Sequence, residues 1–367
     1  MRVVYCIAGL WPSGGTERVV TTKMNWLAGP GGCEVHVVMH DGRRDEFFPL
    51  SAAVKRHYVA EGGSRRAYRR ELTGLLMRLR ADVVICTGGD ELSFLWKLHD
   101  GSKKILEFHY TRNFLVNFVR GIRHIKFRRL HLLKVWLMQK RIAYYARRYD
   151  RIVGLTERDV HLWGDPVNMT YIYNPLSFRS ERKSTTANKE IIAVGSFTPA
   201  KGMDQLVEAF GRIAHRHADW HLSLYGQGQD YGLLQELIEK YDIRKQVSVN
   251  EPYPHIGEKL TEAGIYAFPS RSDGFGLVIT EAMECGLPCV AMDCECGPRE
   301  IVSPRTGLLV PPQDIDAFAA ALERLMTDAP LRRRMGAAAQ REVARFYPEN
   351  IMPQWLRLFE QLTNKKE

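Results

Sequence analysis

Two carboxylates eight residues apart, Asp273 and Glu281, lie in the segment Phe268-Pro269-Ser270-Arg271-Ser272-Asp273-Gly274-Phe275-Gly276, which continues as a largely apolar stretch to Pro288. The pattern predicts a strand ending in a glycine-rich loop that holds Asp273, then a helix with Glu281 at its start or in its first turn. Paired carboxylates can act as acid and base across a glycosidic bond, but that work needs a set separation in space, which spacing along the chain does not provide. A single carboxylate can instead accept two hydrogen bonds from a ribose diol, as acids do in dinucleotide sites.

Glycines beside helix starts supply a complementary chemistry, the binding of anions by bare backbone N–H groups. Gly14 and Gly15 follow the first apolar run and lead into a helical pattern. The fingerprint G-x-G-x-x-G is not present at this turn, so the pair reads equally well as an ordinary tight turn. The same grammar recurs in Gly195-Ser196-Phe197-Thr198-Pro199-Ala200-Lys201-Gly202, where Lys201 brings a compact cation to a helix start, and in Gly226-Gln227-Gly228 after the next strand. His109, in Glu107-Phe108-His109-Tyr110, is a further candidate for acid–base work, although a lone histidine is more often structural.

The elements that must position these residues follow from hydrophobic rhythm. Short apolar runs (3–10, 34–39, 81–86, 104–108) alternate with helical patterns such as 17–28, which is the signature of strand–helix–strand units and a parallel sheet. The rhythm restarts after residue 175 with strands expected at 190–194, 220–225, 246–249, 265–269 and 287–291 and helices at 203–215, 231–241 and 280–285. Two such halves imply an α/β protein of two doubly wound domains, a division that suits 367 residues. Tyr173-Asn174-Pro175-Leu176 and the polar stretch 180–189 carry linker chemistry and place the boundary. Ile351, Trp355, Leu358, Phe359 and Leu362 recur at helical spacing, so 348–362 reads as an amphipathic helix that docks elsewhere.

Charge is unevenly placed. Of a formal net charge of +10, twelve Lys or Arg and one acid, Asp150, fall between Arg112 and Arg151, interleaved with aromatics such as Phe114, Phe118, Trp136 and Tyr144. Such a block attracts phosphate-bearing partners, and its aromatic and apolar content suits an anionic lipid surface. A nucleic-acid module signature does not accompany it. No run approaches the length of a membrane span, which points to a cytosolic chain. Seven cysteines, an odd count, argue against a disulfide framework, and the spacing of Cys285, Cys289, Cys294 and Cys296 favours buried thiols over zinc.

Taken together, the Gly14-Gly15-Thr16-Glu17-Arg18 start, the 195–202 loop, Gly226-Gln227-Gly228, the acidic pair ending at Glu281, Gly297-Pro298-Arg299-Glu300 and Gly307-Leu308-Leu309-Val310-Pro311 resemble one known family. It is the retaining nucleotide-sugar glycosyltransferases of the GT-B fold, glycosyltransferase family four (group 1). The resemblance implies two Rossmann-like domains facing a cleft: residues 1–175 as an acceptor- and membrane-facing domain, 176–347 as the donor-binding domain, and 348–367 as a helix crossing back to the first. It implies that Glu281 binds the ribose hydroxyls, that Lys201 binds the donor diphosphate and that Gly14 and Gly15 lend backbone to the phosphates. Ser196, Gly226, Gly228, Arg271, Gly274, Phe275 and Gly276 would line the donor, and His109 and Asp273 would face the donor sugar. Two positions depart from the family pattern, which usually has glutamate at Asp273 and a basic residue at Ser196; the missing cation is supplied by Arg271, by Arg18 or by nothing.

The reaction implied is transfer of a hexose, with retention, from a nucleotide-sugar leaning to UDP onto a lipid-linked saccharide, lipopolysaccharide or capsule acceptor at the inner face of the cell membrane. Arg112, Arg120, Arg123, Lys126, Arg128 and Arg129 would face that membrane. The nucleotide-sugar serves as substrate and no cofactor is expected; with no Asp-x-Asp in the expected loop region, neither is a metal. Two alternatives remain open, a donor-binding pseudoenzyme prompted by Ser196 and Asp273 and a nucleotide-sugar epimerase of the same architecture. A nucleic-acid-binding scaffold using the basic block is a third reading from another class.

Overall fold

The computed structural model describes residues 1–59, 63–121 and 128–363, and they group into two units. The first comprises Met1–Arg112, Leu133–Ser177 and Phe346–Glu367, the second Asn113–Leu132 and Phe178–Arg345. The first unit opens with β1 (Arg2–Cys6), α1 (Gly15–Ala28), β2 (Glu34–Met39), β3 (Lys55–Tyr58), α2 (Arg65–Leu79), β4 (Val83–Cys86) and β5 (Lys103–Glu107). The chain then runs through α3 (Phe114–Gly121), which groups with the second unit, and α4 (Arg128–Ala146), and closes the first sheet with β6 (Arg151–Gly154), α5 (Glu157–Leu162) and β7 (Met169–Tyr171).

Among the described residues the first sheet has seven strands in the order β3-β2-β1-β4-β5-β6-β7, every pair parallel. Val3 aligns with Val35 on one side and Val83 on the other. These runs are β-branched and buried on both faces, which is what central parallel strands require. Sequence order reverses beside β1, so the loops after β1 and β4 leave in opposite directions and open the crevice where such sheets bind ligands.

The second unit repeats the plan with β8 (Glu190–Val194), α6 (Met203–Gly211), β9 (His221–Tyr225), α7 (Tyr231–Lys240), β10 (Val247–Asn250), α8 (Ile256–Glu262), β11 (Ile265–Phe268), α9 (Leu277–Glu284), β12 (Cys289–Met292), α10 (Pro298–Ile301), β13 (Gly307–Val310), α11 (Ile315–Thr327) and α12 (Ala329–Glu342). Among the described residues its six parallel strands run β10-β9-β8-β11-β12-β13, with the reversal between β8 and β11. The glycine loop carrying Lys201 and the loop carrying Asp273 are therefore the two that flank the switch point.

The last helix, α13 (Pro348–Thr363), belongs to the first unit. Ile351, Met352, Trp355, Leu358 and Phe359 are buried in one cluster with Val3 and Tyr5 of β1, Val20 and Met24 of α1, and Val35 and Val37 of β2. Burial of five large side chains at about 1.5–3 kcal/mol each makes α13 a structural part of that core. One expectation is corrected: α9 begins at Leu277, one turn earlier than the pattern implied, so Glu281 sits in its second turn. Val278 and Ile279 are weak helix formers, and tertiary burial of this apolar stretch overrides their propensity.

Candidate active site

In the second unit three loops are stitched together through backbone. Phe197 N–H donates to the Gln227 carbonyl at 2.8 Å, and Asp230 N–H donates to the Phe197 carbonyl at 3.0 Å. A Cβ on Gly226 would stand 2.0 Å from the Gly195 carbonyl oxygen, so glycine is what lets these loops meet. Gly202 holds φ at 64° with the Pro269 carbonyl 2.2 Å from where a Cβ would be, which binds the Lys201 loop to the end of β11. Arg271 and Ser272 N–H groups then both donate to the Ala200 carbonyl, at 2.8 and 3.1 Å.

This scaffold sets the charged groups. Lys201 Nζ lies 2.5 Å from Oδ2 of Asp273, whose Oδ1 accepts from the N–H groups of Phe275 and Gly276 at 3.1 and 3.0 Å. Burial pushes the Asp273 carboxyl up, but Lys201 and those two N–H donors outweigh it and hold the carboxyl below its ordinary value. Glu281 is fully buried in α9. Tyr266 of β11 is pushed well up by burial, then by Cys289, Glu281 and Asp273, so the two carboxylates act on one buried phenol. Burial raises the Cys285 and Cys294 thiols to about 12, which leaves both protonated at neutral pH.

Arg271 and Ser196, two further candidates, have different surroundings. Arg271 gives Nη1 and Nη2 to the two oxygens of Asp204 at 2.7 and 2.8 Å and donates to the Pro199 carbonyl at 3.0 Å, a bidentate pair that ties the loop to the first turn of α6. Ser196 is exposed, its hydroxyl 3.4 Å from that of Thr198. Also in this unit, Asn113 and Asn117 donate to the two oxygens of Glu295 at 2.6 and 2.9 Å, fastening α3 to the loop after β12. Among the described residues no three His, Cys, Asp or Glu side chains group as a metal site.

The first unit holds the remaining candidates. Gly14 caps α1 and Gly15 is its first residue, with nothing within 4 Å of where a Gly15 Cβ would be. His109, just past β5, is 8% exposed, and its Nε2 lies 2.9 Å from Oε1 of Glu107. The same oxygen accepts from Lys23 Nζ at 2.6 Å, and both side chains are fully buried. Burial pushes the Glu107 carboxyl up, yet Lys23 and His109 outweigh it and hold it at about 2. Lys23 was legible as an anomaly, a lysine on the stripe of Val19, Val20, Met24 and Leu27 that α1 buries.

Of the basic residues, Arg112 is half-buried over the Trp163 ring at 4.9 Å and Arg129 is exposed. Arg123 and Lys126 lie outside the described residues, as do the side chains of Arg120 and Arg128. On α4, Leu130, Leu133, Trp136, Leu137, Met138 and Tyr144 are each about half exposed, alongside exposed Lys134, Lys140 and Arg141.

Comparison with known proteins bears on the family and the fold. Residues 177–342 match the family model described as glycosyl transferases group 1. A crystal structure of a Staphylococcus aureus TarM mutant in complex with fondaparinux, alpha-GlcNAc-glycerol and UDP superposes with a TM-score of 0.80 at 14% identity, covering 98% of this chain and 99% of that one. The fold is thus GT-B, two Rossmann-like units with a long C-terminal helix. The chain is 32% identical over 229 residues to an exopolysaccharide phosphotransferase of Streptomyces coelicolor, spanning 60% of this chain but only 24% of that protein. To an uncharacterized glycosyltransferase of Haemophilus influenzae it is 27% identical over 96% of this chain and 98% of the other.

Proposed function

We propose that the protein is a retaining glycosyltransferase that moves a hexose from a UDP-sugar to a lipid-linked saccharide or a lipopolysaccharide- or capsule-type acceptor, without a metal. The observation that carries this reading is the Lys201–Asp273 pair at the β8/β11 switch point, held by packed glycine loops inside the family-matched segment. Departure of a nucleoside diphosphate leaves negative charge on phosphate oxygens. Lys201 and the N–H groups of the 195–202 and 226–228 loops are the groups preorganised to meet it. Glu281 holds the ribose diol, and Asp273 accepts from a sugar hydroxyl while its charge keeps Lys201 in place. The acceptor hydroxyl attacks on the face the leaving group vacates, and a donor phosphate oxygen takes its proton. The UDP in the TarM complex and the exopolysaccharide role of the Streptomyces relative support the donor and acceptor classes.

The acceptor is proposed to be presented at an anionic membrane surface, on which the exposed apolar, aromatic and basic residues of α4 would lie. Purified protein screened against radiolabelled UDP- and GDP-sugars, with chelator present and lipid extracts as acceptors, tests the whole reading. Turnover that persists in chelator and is lost in Glu281→Ala and Lys201→Ala supports it. Donor binding without turnover on any acceptor would favour a pseudoenzyme, and no donor binding at all would overturn the proposal.

A further inference from the structure

Lys23 costs the first unit free energy: a buried ammonium must shed its water, and a buried ion pair is often no more stabilising than apolar groups of the same volume. Its surroundings indicate what the charge does. Nζ sits 2.6 Å from Oε1 of Glu107 and 4.5 Å from the centroid of the Trp355 ring, and that same Oε1 lies 2.9 Å from Nε2 of His109. Four residues from α1, the end of β5, the turn after it and α13 thus form one buried line that ends on the imidazole. Burial, and after it the Glu107 carboxylate, pushes the Tyr5 phenol of β1 well above its ordinary value.

We propose that Lys23, Glu107 and Trp355 are positioning residues that fix the His109 imidazole, so that the docked state of α13 is read out at the sugar-facing histidine. The inference rests on the transferase reading proposed above and on His109 facing the donor sugar, as the resemblance in sequence implies. Lys23 pins Oε1, and the pinned oxygen, 2.9 Å from Nε2 but not aligned for a hydrogen bond, holds that edge of the ring by its charge. The Trp355 face covers the ammonium, an attraction that strengthens where water is excluded, and it blocks the path by which water would compete for Lys23. Loss of the ring leaves the carboxylate free to swing and the imidazole with it.

Two measurements on the full chain test this. The ¹⁵N signals of His109, assigned by their loss in His109→Gln, report the hydrogen-bonded state of each ring nitrogen without needing turnover. They are expected to move in Trp355→Leu and in the charge-free pair Lys23→Met/Glu107→Gln, and to return in Trp355→Phe. In the same variants kcat is expected to fall about 10- to 100-fold, with the donor KM unchanged within about twofold, the size expected for a misplaced reacting group. Thermal melts show which variants are folded, and Trp355→Phe keeps the test usable if the double variant is not. Folded Trp355→Leu with unmoved His109 signals, or with moved signals and unchanged kcat, overturns the positioning role. Signals that move in the variants while the wild-type protein turns over no donor would sink the proposed function and leave the positioning standing.

Discussion

The Lys201 ammonium rests 2.5 Å from Oδ2 of Asp273, so the cation proposed for the donor diphosphate already has a partner on the opposite side of the switch point. Lys201 is 33% exposed and Asp273 13%, which leaves the lysine a face toward solvent while the carboxylate is held from behind by two backbone N–H groups. Lys201→Ala is expected to lower kcat by about 10²–10³-fold, the range for removal of one preorganised donor at developing charge. Asp273→Asn is expected to weaken donor affinity by freeing the lysine to wander; steady-state kinetics and calorimetric titration with UDP check both.

Arg271 is expected to behave as a structural residue. Removing it strands the buried Asp204 carboxylate, so Arg271→Ala is expected to cost about 3 kcal/mol. Arg271→Met combined with Asp204→Leu is expected to recover most of that, as read by urea unfolding.

Gly226→Ala puts a methyl group 2.0 Å from the Gly195 carbonyl and is expected to prise two loops apart, costing about 1–3 kcal/mol and weakening UDP binding together. Gly15→Ala meets open space and is expected to leave the melting temperature unchanged within the error of a thermal scan.

Acid should release the Lys23–Glu107 pair. The folded carboxyl titrates at about 2 against an ordinary 4.5, so the stability it contributes is complete above the higher value and disappears as pH falls toward the lower. The urea midpoint of wild type is expected to drop across that window, and the difference from Lys23→Met/Glu107→Gln to change with it.

Replacing Arg129, Lys134, Lys140 and Arg141 by glutamine is expected to reduce co-sedimentation with phosphatidylglycerol vesicles on the order of 10²-fold or more, at about 1 kcal/mol per charge near the surface. Raised salt should do the same to wild type, and transfer to a water-soluble acceptor should be unaffected.

The sheets were legible in the sequence because their strands are buried on both faces: Val3 to Cys6 and Glu190 to Val194 announce themselves as apolar runs between turn residues. β3, β6, β7 and β13 were not: Lys55–Tyr58 is polar, Arg151 reads as part of the basic block, Met169–Tyr171 spans three residues, and Gly307–Val310 was read only as part of a glycine motif. The glycine loops and the carboxylate pair were readable as a group, because residue type and local spacing carry the chemistry. What stayed hidden was pairing across distance. Lys23 meets Glu107 across 84 positions and Arg271 meets Asp204 across 67, and no local pattern says which charges will face each other once the sheets close.

Ribosomal synthesis meets the return of α13 in an awkward order. Residues 178–345 of the second unit have all been made before Ile351, Trp355 and Phe359 emerge to fill the interior begun by Val3 and Tyr5. The unit that starts first is thus finished last, and through most of translation its β1–α1 layer presents uncovered apolar surface of the kind chaperones bind.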